Sequence, residues 1–236
     1  INRVIKLLNE GVNPDGVLCL AFNRSAQDTM SERLSALKVP VKRASRSDQF
    51  GVTVSTLHAL GFSILKENGI ADVLTTPKIK GLVKRALDAQ GNLPNVRGQD
   101  PIRIFLESNA KVKAGLMAPV DASMEFESQK GEMLKIPSEG AIRHYDKSQA
   151  REASTDFDNQ IYSALGALAG DYNLRQKYQT RFTHILVDEY QDLAPAQIAL
   201  VRVLGGKGQN MFVVGDDDQL IYSFAHVEAE NFDAFS

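Results

Sequence analysis

Residues 184–192 read "HILVDEYQD", and the reading of this stretch decides the fold. Ile185, Leu186 and Val187 are apolar residues that suit a strand, and the run ends abruptly in Asp188, Glu189 and, two residues on, Asp192. A buried strand that delivers carboxylates at its end must place them somewhere useful or solvated. A second stretch repeats the design. "VVGDDDQLIYSF" (213–224) is an apolar strand, then Gly215 for a tight turn, then Asp216, Asp217, Asp218 and Gln219.

Working outward, "VLCLAF" (17–22) and "VTVST" (52–56) are further strand runs. Each leads into a helical pattern, "RSAQDTMSERLSAL" and "LHALGFSILKENG" respectively, just as "HILVD" leads into "PAQIALVRVLGG". Pro195 suits the first turn of that last helix, and Gly205 with Gly206 suits its end. Strands alternating with helices predict an α/β fold with a parallel sheet covered on both faces.

In open parallel sheets, ligands collect outside the carboxyl ends of the strands, so Asp188, Glu189 and Gln219 are predicted to face a binding crevice. Two adjacent carboxylates there can divide the labour of phosphoryl transfer to water. Asp188 would hold Mg²⁺, and Glu189 would orient and deprotonate the attacking water. A solvated acidic turn has the same composition, so the pair alone does not decide. Gln219 is neutral, both donor and acceptor, and can report on a terminal phosphate without adding charge. Tyr222 and Phe224 follow with alternate spacing; they can stack on bases or fill a core.

Between residues 62 and 152 the texture changes. "TPKIKGLVKRALDAQG" and "PIRIFLESNAKVKAG" predict helices opened by Thr or Pro and closed by Gly, which points to a mostly helical insertion. The stretch 119–140, "PVDASMEFESQKGEMLKIPSEG", lacks clear periodicity and is expected to be an extended loop. Lys84, Arg85, Lys111 and Lys113 form either a basic face or ordinary solvated helix surface.

Composition bounds the rest. The chain has 236 residues, 43% of them hydrophobic, enough for one large domain or one domain with a second inserted into it. With 27 basic and 29 acidic residues the formal charge is −2, so no global positive field attracts nucleic acid, although a local basic face is allowed. Cys19 is the only cysteine, which excludes an internal disulfide and fits a reducing, cytoplasmic setting. His144, His184 and His226 have no zinc-ligand spacing. No apolar segment approaches the roughly 20 residues that span a bilayer, and "INRVIKLLNEG" at the start predicts an amphipathic helix rather than a signal peptide. Residue 1 is Ile rather than Met, so a piece of a longer protein is expected.

These residues carry a family resemblance. "VDEYQD" (187–192) and "VVGDDDQLIY" (213–222) resemble motifs II and III of superfamily 1A helicases, the UvrD/Rep/PcrA group. "LAFNRSAQDTMSERL" (20–34) resembles motif Ia, "VSTLHALGFSIL" (54–65) the following DNA-contacting motif, and "TDFDNQI" (155–161) the family's "DFDDL" segment. Five motifs in family order make a specific signal across the flanks, and the middle matches weakly, where this family places a variable helical subdomain.

The resemblance implies a RecA-like core of the P-loop NTPase class, residues 1–61 and 153–236, with residues 62–152 as an inserted helical subdomain of the 1B type. It implies ATP and Mg²⁺ as cofactors, and single-stranded DNA and single-strand/duplex junctions as partners, with further protein partners reached through the insertion. Asp188 would serve Mg²⁺, Glu189 would be the catalytic base, and Gln191 and Asp192 would couple the nucleotide site to neighbouring motifs. Gln219 would sense the γ-phosphate. Phe22, Asn23, Arg24, Thr56 and His58 match positions beside single-stranded DNA, and Tyr222 and Phe224 would complete a stacking platform. For Phe22 and His58 the residues themselves allow a structural role equally well.

The departures are specific. No G-x-x-x-x-G-K-[ST] phosphate loop occurs in the sequence, and in the family that loop lies just ahead of the helix matched by "INRVIKLLNEG". No second motor domain follows, so the chain alone is expected to hydrolyse ATP poorly or not at all. "SFAHVEAENF" (223–232) departs from the Arg-Gly or Ala-Gly that often follows the aromatic pair of motif III. The expected parent is an ATP-dependent 3′-to-5′ DNA helicase or translocase. A catalytically inactive relative that binds DNA or protein, or the motor of a helicase–nuclease, are the alternatives.

Overall fold

The computed structural model describes residues 1–46, 48–91, 99–127, 131–206 and 210–215. Helix α1 (Asn2–Asn9) precedes strand β1 (Val17–Ala21), helix α2 (Arg24–Ala36), strands β2 (Val41–Lys42) and β3 (Val52–Thr56), and helix α3 (Leu57–Glu67). A middle run follows, with β4 (Asp72–Val73), α4 (Thr76–Asp88), α5 (Pro101–Gly115), β5 (Ser123–Glu127), β6 (Met133–Pro137), α6 (Glu139–Arg151) and β7 (Ser154–Thr155). Helices α7 (Phe157–Gly170) and α8 (Tyr172–Arg181), strand β8 (His184–Val187), helix α9 (Pro195–Gly205) and strand β9 (Asn210–Val213) complete the described chain. Two compact units result, Ile1–Leu65 with Ser163–Ser236, and Lys66–Tyr162.

The first unit is built on a five-stranded parallel sheet in the order β2-β3-β1-β8-β9. Every residue of β1 is at most 1% exposed, as expected of a central strand covered on both faces, and this is why its sequence is continuously apolar. Burial of Leu18 and Leu20 contributes about 1.5–3 kcal/mol each. On one face, Val4 of α1 and Leu34 of α2 join Cys19 and Val54 in a single apolar cluster. Within that cluster, burial pushes the Cys19 thiol up to about 12, so it stays protonated and serves as a small apolar filler.

Register positions the strand ends. Leu20 pairs with Val187, Ala21 with Thr56, and Val187 with Val213, so β1, β3, β8 and β9 end along one edge of the sheet. From β1 the chain turns toward β2 and β3; from β8 it turns the other way, to β9. The crevice between the carboxyl ends of β1 and β8 is therefore the topological switch point of the sheet.

The second unit has its own core, in which Leu82 and Val83 of α4, Phe105 of α5, Phe126 of β5 and Tyr145 of α6 meet. The rings of Phe105 and Tyr145 pack edge to face, 5.5 Å between centroids. An antiparallel hairpin of β5 and β6 occupies the stretch predicted as an extended loop. Met124 and Phe126 alternate inward along β5, but Met133, Leu134 and Lys135 of β6 are all exposed, so one strand has period two and the other none. The unit also differs at its far end from the boundary expected at residue 153. It runs through Tyr162, inside the unbroken helix α7, where no turn residue marks a junction.

Lys113 is a further correction. Its side chain is 2% exposed, ion-paired with Asp146 and 4.3 Å from the ring centroid of Tyr162, so it belongs to the interior and not to a basic face. Arg85 pairs with Glu152 at the surface.

Candidate active site

Strand β8 stops at Val187 because the next residues leave the sheet in a tight turn. The Asp188 amide donates to Leu20 O of β1 (3.0 Å), and the Tyr190 amide donates to Val214 O beyond β9 (2.9 Å). These two bonds pin both sides of Glu189. Its backbone lies in the left-handed region, φ 51° and ψ 48°. For a glutamate that conformation costs about 1–2 kcal/mol, and such strain collects at functional sites. The 3₁₀ turn Tyr190–Asp192 that follows is buried, with Tyr190 at 0% exposure and Gln191 at 3%.

Asp188 is half-buried and lines two adjoining openings of about 450 and 420 Å³ in the switch-point crevice. Ile1 at the start of α1, and Met30 and Arg33 of α2, line both. Burial, then the neighbouring Glu189 charge, pushes the Asp188 carboxyl above the usual carboxylate range, offset in part by the Glu189 backbone amide. A carboxylate held under that pressure fits a cation. Mg²⁺ bound through one or two carboxylates plus phosphate oxygens suits the donor set, and Asp188 would hold it.

Glu189 is half-buried, and Gln191 Nε2 donates to its Oε2 at 2.8 Å. Asp192 is buried, with one carboxylate oxygen that has no partner among the described residues. Burial and the Glu189 charge push its carboxyl upward. Three carboxylates in five residues thus have graded environments.

Along the same edge lie the residues matched to DNA-facing motifs. Phe22 is half-buried directly after β1, while Asn23 and Arg24 are exposed at the start of α2. Asn23 is the helix cap: its Oδ1 accepts the Ala26 amide at 2.8 Å, leaving the amide NH₂ for other work. Thr56 is half-buried at the end of β3, and its Oγ1 accepts the Ala59 amide at 3.2 Å. His58 is half-buried in α3, and burial pushes its pKa down to about 4, so at neutral pH it has no charge to offer a phosphate. Gln219, Tyr222 and Phe224 lie outside the described residues.

Two features were not drawn from the sequence. One is the left-handed backbone of Glu189, which no local signal announces. The other is the division of labour in "TDFDNQI". Asp156 is turned inward, capping α7 through the Asn159 amide (2.8 Å) and accepting the Tyr145 hydroxyl and Gln149 Nε2, whereas the Phe157 ring beside it is 60% exposed.

A five-stranded parallel sheet with an acidic pair at its switch point is an α/β architecture consistent with the core of a P-loop NTPase-like motor domain. Within that class the family is shown by sequence. The chain matches the UvrD/REP helicase N-terminal domain over residues 1–236, and it belongs to that family. It is 29% identical over 243 residues to the ATP-dependent DNA helicase PcrA of Staphylococcus aureus strain Mu50, and 28% over 242 residues to that of Staphylococcus epidermidis. In both cases 99% of this chain and 31% of the relative is covered, so the chain spans about a third of the relatives' length. Among the described residues no helix is long and apolar enough to cross a membrane.

Proposed function

We propose that this chain is the first motor domain of an ATP-dependent DNA helicase or translocase that couples ATP hydrolysis to 3′-to-5′ movement on single-stranded DNA. The observation that supports it most is the placement of Asp188 and Glu189 at the switch point, with Phe22 and Thr56 on the same sheet edge. ATP would supply the phosphoryl centre, and Mg²⁺, when bound, would offset its developing negative charge. Asp188 would hold the cation. Glu189, set by its strained backbone, accepts the proton of the attacking water.

Next to this centre, Phe22 stacks on a base, Asn23 and Arg24 meet the backbone through the Asn23 amide NH₂ and the Arg24 guanidinium, and Thr56 and His58 act as neutral hydrogen-bonding groups. Gln219 as phosphate sensor and Tyr222 with Phe224 as stacking partners rest on the motif resemblance. DNA is the expected substrate of the whole protein, as the PcrA relatives are ATP-dependent DNA helicases by name, and the expectation of single-strand/duplex junctions rests on the motif resemblance.

The test is Glu189→Gln in the full-length protein. DNA-stimulated hydrolysis should fall by roughly 10²–10⁴-fold while ATP affinity stays within a few-fold. Full turnover in that variant would remove Glu189 from the role of base.

A further inference from the structure

The turn after β8 sets one carboxamide among three carboxylates, and that side chain is Gln191. It is 3% exposed, and its Nε2 donates to Glu189 Oε2 at 2.8 Å. The flanking residues hold it there, since Tyr190 is fully buried and the Asp192 amide donates to Glu189 O at 3.0 Å, closing the 3₁₀ turn.

Glu189 needs such a partner. A left-handed backbone fixes where its Cβ starts, but three further side-chain torsions are free, and a carboxylate that wanders presents its basic oxygen to water only part of the time. A lysine or arginine beside it would fix the carboxylate but also stabilise its charge, lowering its basicity. A carboxamide N–H restrains one oxygen, leaves the other for a water, and adds no net charge.

We propose that Gln191 is the positioning residue for Glu189: through the bond to Oε2 it holds the carboxylate so that Oε1 faces the attacking water. Gln191 then acts through Glu189 and touches neither nucleotide nor metal. The proposal rests on the reading of Glu189 as base.

The experiment compares Gln191→Met with Glu189→Gln in the full-length protein, reading kcat and KM for ATP separately in DNA-stimulated hydrolysis. Met keeps length and packing but removes the donor. Its kcat should fall roughly ten- to hundredfold, with KM for ATP moving no more than about twofold. Should Met fail to fold, Gln191→Asn, polar but one methylene short of the carboxylate, is read by the same criteria. Wild-type kcat in the Gln191 variant, with Glu189→Gln inactive, would overturn the proposal. Turnover retained in Glu189→Gln would instead overturn the assignment of the base.

Discussion

At the scale of single residues, the acidic pair at the end of β8 shows how neighbours in sequence acquire different chemistry. Burial, then the neighbouring Glu189 charge, pushes the Asp188 carboxyl upward, and Glu189 is pinned in the left-handed region by bonds on both sides. The residue types were legible; the strain was not, because it comes from the amides of Asp188 and Tyr190 bonding to two different neighbours in the sheet. For Phe22, truncation to Ala should weaken single-strand binding by about 1–3 kcal/mol, read in a DNA titration at fixed salt. A null effect there would return Phe22 to the core. Asp158 gives a pH-dependent outcome. Burial, then Asp156, raises its carboxyl to about 6, so the folded state holds a proton that the unfolded chain releases near 4. Its charged form therefore destabilises the fold increasingly as pH rises from about 4 to 6, and fully above that. Asp158→Asn should raise the melting temperature at pH 8 and leave it nearly unchanged at pH 4; equal shifts at both values would contradict this.

At the scale of elements, four of the five strands of the first unit could be read because each is a short apolar run closed by a turn or cap residue; β2, two residues long and ending in Lys42, gave no such signal. "VTVST" is β3 to the residue. Helices α4 and α5 were equally legible from Thr or Pro at their starts and Gly at their ends. The β5–β6 hairpin was not, since only β5 alternates and β6 exposes most of its side chains; pairing across the hairpin, a non-local fact, makes the strand. Gly51 shows the same limit. It lies at φ +138°, and a Cβ there would stand 2.5 Å from Pro40 O, a backbone atom that cannot step aside. Gly51→Ala should cost at least about 2 kcal/mol by chemical denaturation, by displacing β3 from β2. An unchanged midpoint would mean that the turn relaxes freely.

At the scale of the whole molecule, strand order is what turns local motifs into a site. Nothing in "HILVD" alone says that β8 lies beside β1, yet that adjacency places Asp188 at the switch point and brings Phe22 and Thr56 to the same edge. The motif order pointed to the family, and the match over residues 1–236 shows it. The chain covers 31% of its PcrA relatives, so the proposed motor cycle is a matter for the whole protein. The most direct measurement is the ATPase rate of the full-length protein with and without single-stranded DNA, wild type beside Glu189→Gln. Strong DNA stimulation in the wild type, lost in the variant with ATP binding retained, is the expected result. Hydrolysis that ignores DNA, or that survives the loss of Glu189, would contradict the account.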